Sequence, residues 1–127
     1  MNLLGAGIDI VEIQRIKDII DRRGHRFIEK ILNTKELEEL VDVKNTAVFL
    51  AKRFAVKEAA AKALGTGIGK QLSFTDMYVE HDELGKPLLR FTQDCCARLN
   101  LNDKHSLLTI ADEKAYAVAH VLLFSKE

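Results

Sequence analysis

The stretch RFAVKEAAAKALGTGIG, residues 53–69, decides how this chain folds. Alanine and other strong helix formers run without proline up to Gly65, Gly67 and Gly69, which end the helix. Traced backwards, the helix begins near Ala47, with Asn45 or Thr46 as its N-cap, and runs to Leu64. At about 100° per residue, Ala47, Leu50, Ala51, Phe54, Ala55 and Ala61 fall on one side. Lys52, Arg53 and Lys57 point mostly elsewhere, while Glu58 and Lys62 lie in the middle of the apolar side. Spacing by itself favours an ordinary i,i+4 Glu–Lys pair worth about 0.2–0.5 kcal/mol. The alternative is a pair of charges held for chemistry. A carboxylate there suits a hard cation, and an ammonium one turn on suits a phosphate. The small alanines let another element approach closely.

Working outward, LLGAGIDIVEI at residues 3–13 reads as a short buried strand. Asp9 interrupts it between two isoleucines, after glycines that permit close backbone approach. It is either a cap for the next helix or a second carboxylate for the site of Glu58. From Ile13 the apolar spacing becomes helical through Ile16, Ile19 and Ile20, until Gly24. FIEKIL is a further short amphipathic segment. Asn33 and Thr34 can cap a helix in which Glu36 completes a capping box. Beyond the long helix, GTGIGKQLS lacks the spacing of a P-loop. It is either a flexible helix stop or a loop whose N–H groups meet a phosphate. Residues 77–79 and 88–91 are strands flanking DELGKP, TQDCCARLNL is a helix, and LLTI–ADEK–AYAVAHVLLF is a hairpin. The expected fold class is α+β: a small antiparallel sheet packed with helices, one of them long and central, in a single domain spanning 1–127.

Composition narrows the function. Apolar residues make up 47% and charged residues 30%, and 19 Lys plus Arg balance 19 Asp plus Glu. No bulk charge argues for nucleic acid or an anionic membrane. No stretch spans a bilayer or resembles a signal peptide, and the adjacent Cys95 and Cys96 suit neither a disulfide framework nor a metal site. The expected compartment is the cytoplasm. Between Ile13 and Lys30 six basic residues face three acids, which by composition alone is a solvated face.

GIDIVEI followed about 45 residues later by FAVKEAAAKALGTGIG resembles the holo-acyl-carrier-protein synthase family, the small bacterial type of 4′-phosphopantetheinyl transferase. The matching positions are Gly7, Ile8, Asp9, Phe54, Lys57, Glu58, Ala59 and Lys62. ELGKP and the final hairpin extend the resemblance over nearly the whole chain. It implies transfer of 4′-phosphopantetheine from coenzyme A to a serine of apo-acyl carrier protein, in fatty acid biosynthesis, with adenosine 3′,5′-bisphosphate as the other product. Asp9, Glu58 and Lys62 are the implied catalytic residues. Asp9 and Glu58 hold Mg²⁺, and Lys62, Gly65, Gly67 and Pro87 contact coenzyme A. Arg15, Arg22, Arg26 and Phe27 are the implied docking residues for the acidic carrier, and the assembly is a homotrimer with sites between protomers. Either Glu58 or a water takes the serine proton. Many relatives carry a histidine in the last hairpin that faces coenzyme A. This chain has LTIAD, with Ala111 at that place, and His105 reads as a surface loop residue. The competing readings are another Mg²⁺-dependent phosphoryl or nucleotide hydrolase, and a non-catalytic module that binds acyl carrier protein.

Overall fold

The computed structural model describes residues 1–126. Its core is the long helix α4 (Thr46–Leu64), which follows α1 (Ile13–Arg23), α2 (His25–Ile31) and α3 (Thr34–Leu40). Strand β1 (Leu3–Glu12) precedes them. A hairpin of β2 (Met77–His81) and β3 (Pro87–Phe91), helix α5 (Gln93–Leu99) and a second hairpin of β4 (Lys104–Asp112) and β5 (Tyr116–Ser125) complete the chain. This is the expected α+β arrangement, but its strands form two antiparallel sheets, one ordered β1-β5-β4 and the other β2-β3.

Local signals explain most element ends. The side chain of Asn45 accepts from the Val48 N–H at the start of α4. Asn33 and Glu36 form the reciprocal capping box of α3. Gly65 closes α4 in the left-handed conformation at φ 78°, where a Cβ would be strained.

Gly5 and Gly7 set the spacing between β1 and α4. A Cβ on Gly7 would lie 1.9 Å from the Ala59 carbonyl oxygen, and one on Gly5 would lie 2.1 Å from that of Ala63. Strand and helix backbones therefore meet through glycine on one side and alanine on the other. Gly7, Asp9 and Val11 share the face of β1 turned toward α4. On the opposite face Leu4, Ile8 and Ile10 are exposed. The strand thus spans nearly the expected stretch but is buried on one face only.

The wheel reading of α4 also needs correction. Ala51, Ala55, Ala59 and Ala63 are buried, and so are Leu50, Val56, Ala60, Arg53 and Lys57 on other sides. The helix is enclosed by β1 on one flank and by α2 and β2 on another, so apolar residues appear nearly all round. The charges expected to face away, Arg53 and Lys57, are buried. Glu58 and Lys62 stand in the most open sector, at the rim between α4 and β1.

Candidate active site

Asp9 and Lys62 are distant in sequence but joined in space. Lys62 Nζ donates to the Ile8 carbonyl at 2.9 Å and lies 3.2 Å from Asp9 Oδ1. Its partner is therefore Asp9 across the helix–strand contact. Among the described residues no ion pair joins it to Glu58. Asp9 is largely covered, whereas the Lys62 side chain is 53% exposed.

Glu58 is half-buried between these groups. Burial pushes its carboxyl pKa up, and the Asp9 carboxylate pushes it further. Lys62 and Arg15 act in the opposite direction. Asp9 and Glu58 are two carboxylates close enough to repel one another, with the Lys62 ammonium paired to Asp9. Among the described residues no cluster of three or more His, Cys, Asp or Glu could cage a metal. The pair still fits a cation such as Mg²⁺, which takes one or two carboxylates and fills its remaining positions with water and phosphate oxygens.

The other expected site residues divide into three places. Gly65 and Gly67 follow one turn after Lys62. Their N–H groups, with that of Thr66, donate to the Ala61 and Lys62 carbonyls that end α4. These donors close the helix and do not point outward to a phosphate. A Cβ at Gly65 or Gly67 would meet nothing within 4 Å, so the loop offers open backbone surface. Pro87 opens β3 and lines a separate cleft of about 370 Å³ with Lys86, Lys104 and His105; Asp9, Glu58 and Lys62 are not among its lining residues.

Arg22 and Arg26 line a basic cleft with Arg23, Lys30 and Phe27. Phe27 is 8% exposed and belongs to the core. It forms the cleft floor and is not a projecting apolar knob, because α2 packs its inner side against the body of the fold. Arg15 lines an adjoining groove with Arg22 and also acts electrostatically on Glu58. That groove also carries Glu12, Asp18 and Asp21, so the strongly basic surface is the cleft of Arg22, Arg23, Arg26 and Lys30, and Arg15 acts on Glu58 from a groove of mixed charge. His105 lies on β4, not in a loop, with its ring 6.3 Å from that of Phe124. Cys95 and Cys96 are free, and burial lifts the Cys95 thiol to about 11, which keeps it inert at neutral pH.

Sequence reading missed one polar cluster entirely. Lys57 is 0% exposed, and its Nζ donates to the Ile31 carbonyl at 2.6 Å and to Glu36 Oε1 at 2.7 Å. Glu36, also buried, accepts further bonds from the Asn33 N–H, the Val79 N–H and Arg53 Nη1. The signal was present in Lys57 and Glu36, but it becomes visible only once α4 is treated as buried on more than one side.

Comparison with known proteins gives the same direction as the geometry. Residues 5–121 match the 4′-phosphopantetheinyl transferase superfamily. A holo-[acyl-carrier-protein] synthase of Shewanella frigidimarina is 50% identical over 98% of this chain and 100% of its own length. The fold is similar to the holo-(acyl-carrier-protein) synthase of Bacillus anthracis in complex with CoA (3′,5′-ADP), at TM-score 0.84 and 38% identity, covering 98% of this chain and 99% of that one. It is also similar to the holo-[acyl-carrier-protein] synthase of Neisseria meningitidis, at TM-score 0.90 and 36% identity over 95% and 98% of the two chains. With its Gly-Ile-Asp strand packed on the helix that carries Glu58 and Lys62, this chain belongs to the 4′-phosphopantetheinyl transferase superfamily.

Proposed function

We propose that this protein, acting as a single transferase domain, moves 4′-phosphopantetheine from coenzyme A to a serine of apo-acyl carrier protein, with Mg²⁺ held by Asp9 and Glu58. One observation carries the reading: Asp9, Glu58 and Lys62 converge at the rim of α4 and β1 in a chain of this family. The like-charged pair is costly by itself, and a bound cation would offset that cost. When bound, that cation supplies charge neutralisation on the diphosphate.

The chain's own residues supply position. Asp9 and Glu58 would hold the cation from two elements whose spacing the glycines set. The exposed Lys62 ammonium is free to exchange Asp9 for a phosphate oxygen and balance charge on the departing bisphosphate. The serine oxygen forms the new bond to phosphorus, the bond from phosphorus to the bisphosphate oxygen breaks, and the serine proton passes to water. Glu58 is a poor base while it serves as a ligand. The open backbone at Gly65 and Gly67 gives coenzyme A a surface free of side chains.

The cleft of Arg22 and Arg26, its Phe27 floor and the neighbouring Arg15 suit a small acidic carrier, which the basic cleft would attract to this side of the molecule. Exposed Leu4, Ile8, Ile10 and Leu107 lie on the side of the β1-β5-β4 sheet away from α4. They give a homotrimer an apolar surface to bury. Sites between protomers would let Pro87 of one copy approach Asp9 and Glu58 of another. The cellular setting proposed is fatty acid biosynthesis in the cytoplasm. Within the described residues no helix is long and apolar enough to cross a membrane.

Substitution at the shared carboxylate tests the reading. Glu58→Gln should lower transfer at least ~100-fold while circular dichroism shows an unchanged fold. A folded variant with near-wild-type transfer would remove Glu58 from the metal site.

A further inference from the structure

Among the described residues, the side-chain bonds of the buried Lys57–Glu36 pair reach neither Asp9 nor Glu58 nor the arginines of α1 and α2, yet Lys57 is the immediate neighbour of Glu58 in the chain. We propose that Glu36 and Lys57 are positioning residues that index the rotation of α4 and thereby hold Glu58 opposite Asp9. This rests on the reading of Asp9 and Glu58 as cation ligands.

The geometry is that of a fixed socket. The Glu36 carboxylate is held by the backbone N–H groups of Asn33 and Val79, and Lys57 also reaches the Ile31 carbonyl. The socket therefore belongs to the end of α2, the start of α3 and strand β2. Lys57 and Arg53, one turn apart on α4, both enter it. Arg53 is further steadied by Glu39 and by the Phe49 ring, 4.4 Å from its guanidinium carbon.

Elsewhere α4 is gripped by buried Leu50 and Val56, by Phe54 stacked on Phe74 at 5.5 Å, and by the exposed Lys62 at its rim, but the side turned to β1 is smooth. Ala51, Ala55, Ala59, Ala60, Ala61 and Ala63 are buried, and alanine gives shallow ridges for neighbours to grip. Gly5 and Gly7 make the facing strand equally smooth. A carboxylate roughly 6 Å off a helix axis moves about 2 Å when the helix turns ~20°. Such a turn would draw Glu58 away from Asp9, and it would also withdraw Lys57 from its socket. Directional bonds resist this motion where apolar packing does not. An apolar pair of the same volume would serve stability as well or better, so a buried Lys–Glu pair is better explained by orientation than by stability.

The test uses full-length Lys57→Met and the double variant Glu36→Gln/Lys57→Met, which buries no unpaired charge and carries the test if the single variant fails to fold. Mn²⁺ serves as the probe, with binding to metal-free protein followed by electron paramagnetic resonance alongside thermal melting and transfer kinetics. The folded variants should bind Mn²⁺ at least ~10-fold more weakly and lose about 100-fold in kcat. KM for the carrier, which docks elsewhere, should stay within about twofold. A purely structural pair would lower the melting temperature and leave Mn²⁺ affinity unmoved. Folded variants with wild-type Mn²⁺ affinity and kcat overturn the inference alone. Wild-type protein that binds no Mn²⁺ overturns the cation reading and this inference with it.

Discussion

Glu58 sits where a carboxylate is least comfortable without a partner. Burial and Asp9 both raise its pKa above the ordinary 4.5. A raised folded-state value means that the stability tied to this group is present below the unfolded pKa and lost as pH rises through the folded one. In the absence of divalent cations, Glu58→Gln should therefore melt no lower than wild type at neutral pH, and any advantage should vanish once Glu58 is protonated in both states. Melting curves in chelator across that range check this, and a clearly lower melting temperature at neutral pH would contradict it. Asp9→Asn should also lower the Glu58 titration midpoint followed by NMR in metal-free protein; an unmoved midpoint would deny their coupling. Asp9 and Glu58 drew notice in the sequence as charges among apolar residues, but spacing alone favoured an ordinary ion pair, and only the family resemblance singled them out as a site. Lys57 drew none, since a helical wheel assumes one buried face and this helix is enclosed on more.

Glycine and alanine govern the pairing of strand with helix. A Cβ at position 7 would overlap the Ala59 carbonyl oxygen, and backbone cannot yield as a flexible side chain would. Gly7→Ala should cost about 1–3 kcal/mol or more, read as a fall in the chemical-denaturation midpoint; an unchanged midpoint would mean that the contact is looser than described. On α1, Arg22→Glu should raise KM for the carrier by about tenfold and that for coenzyme A by less than about twofold, with the difference shrinking in high salt. Equal changes in the two constants would move docking off this face. The helix caps were readable because Asn33, Glu36, Asn45 and Gly65 act on neighbours within a few residues. The pairing of β1 with β5 was not, because it joins the two ends of the chain and no local pattern specifies it.

At the scale of the whole molecule, the sheet face away from α4 has its own consequence. Ile8 and Ile10 are 60% and 62% exposed in the single chain, on the edge strand of a sheet face that the proposed trimer would cover. Ile10→Lys should give a folded monomer by light scattering, with transfer lost if, as proposed, each site is built from two copies. A wild-type monomer with full activity would contradict that assembly. The α+β class followed from the change between helical and alternating patterns, whereas the exposed face of β1 was concealed because one-sided and two-sided burial look alike in a short apolar run. The most direct test of the central claim is mass spectrometry of an apo-acyl carrier protein incubated with this protein, coenzyme A and Mg²⁺. The predicted result is a phosphopantetheine adduct on one serine, formed with Mg²⁺ and abolished by chelator. An unmodified carrier, with the protein folded and the carrier modified by an established transferase in parallel, would contradict it.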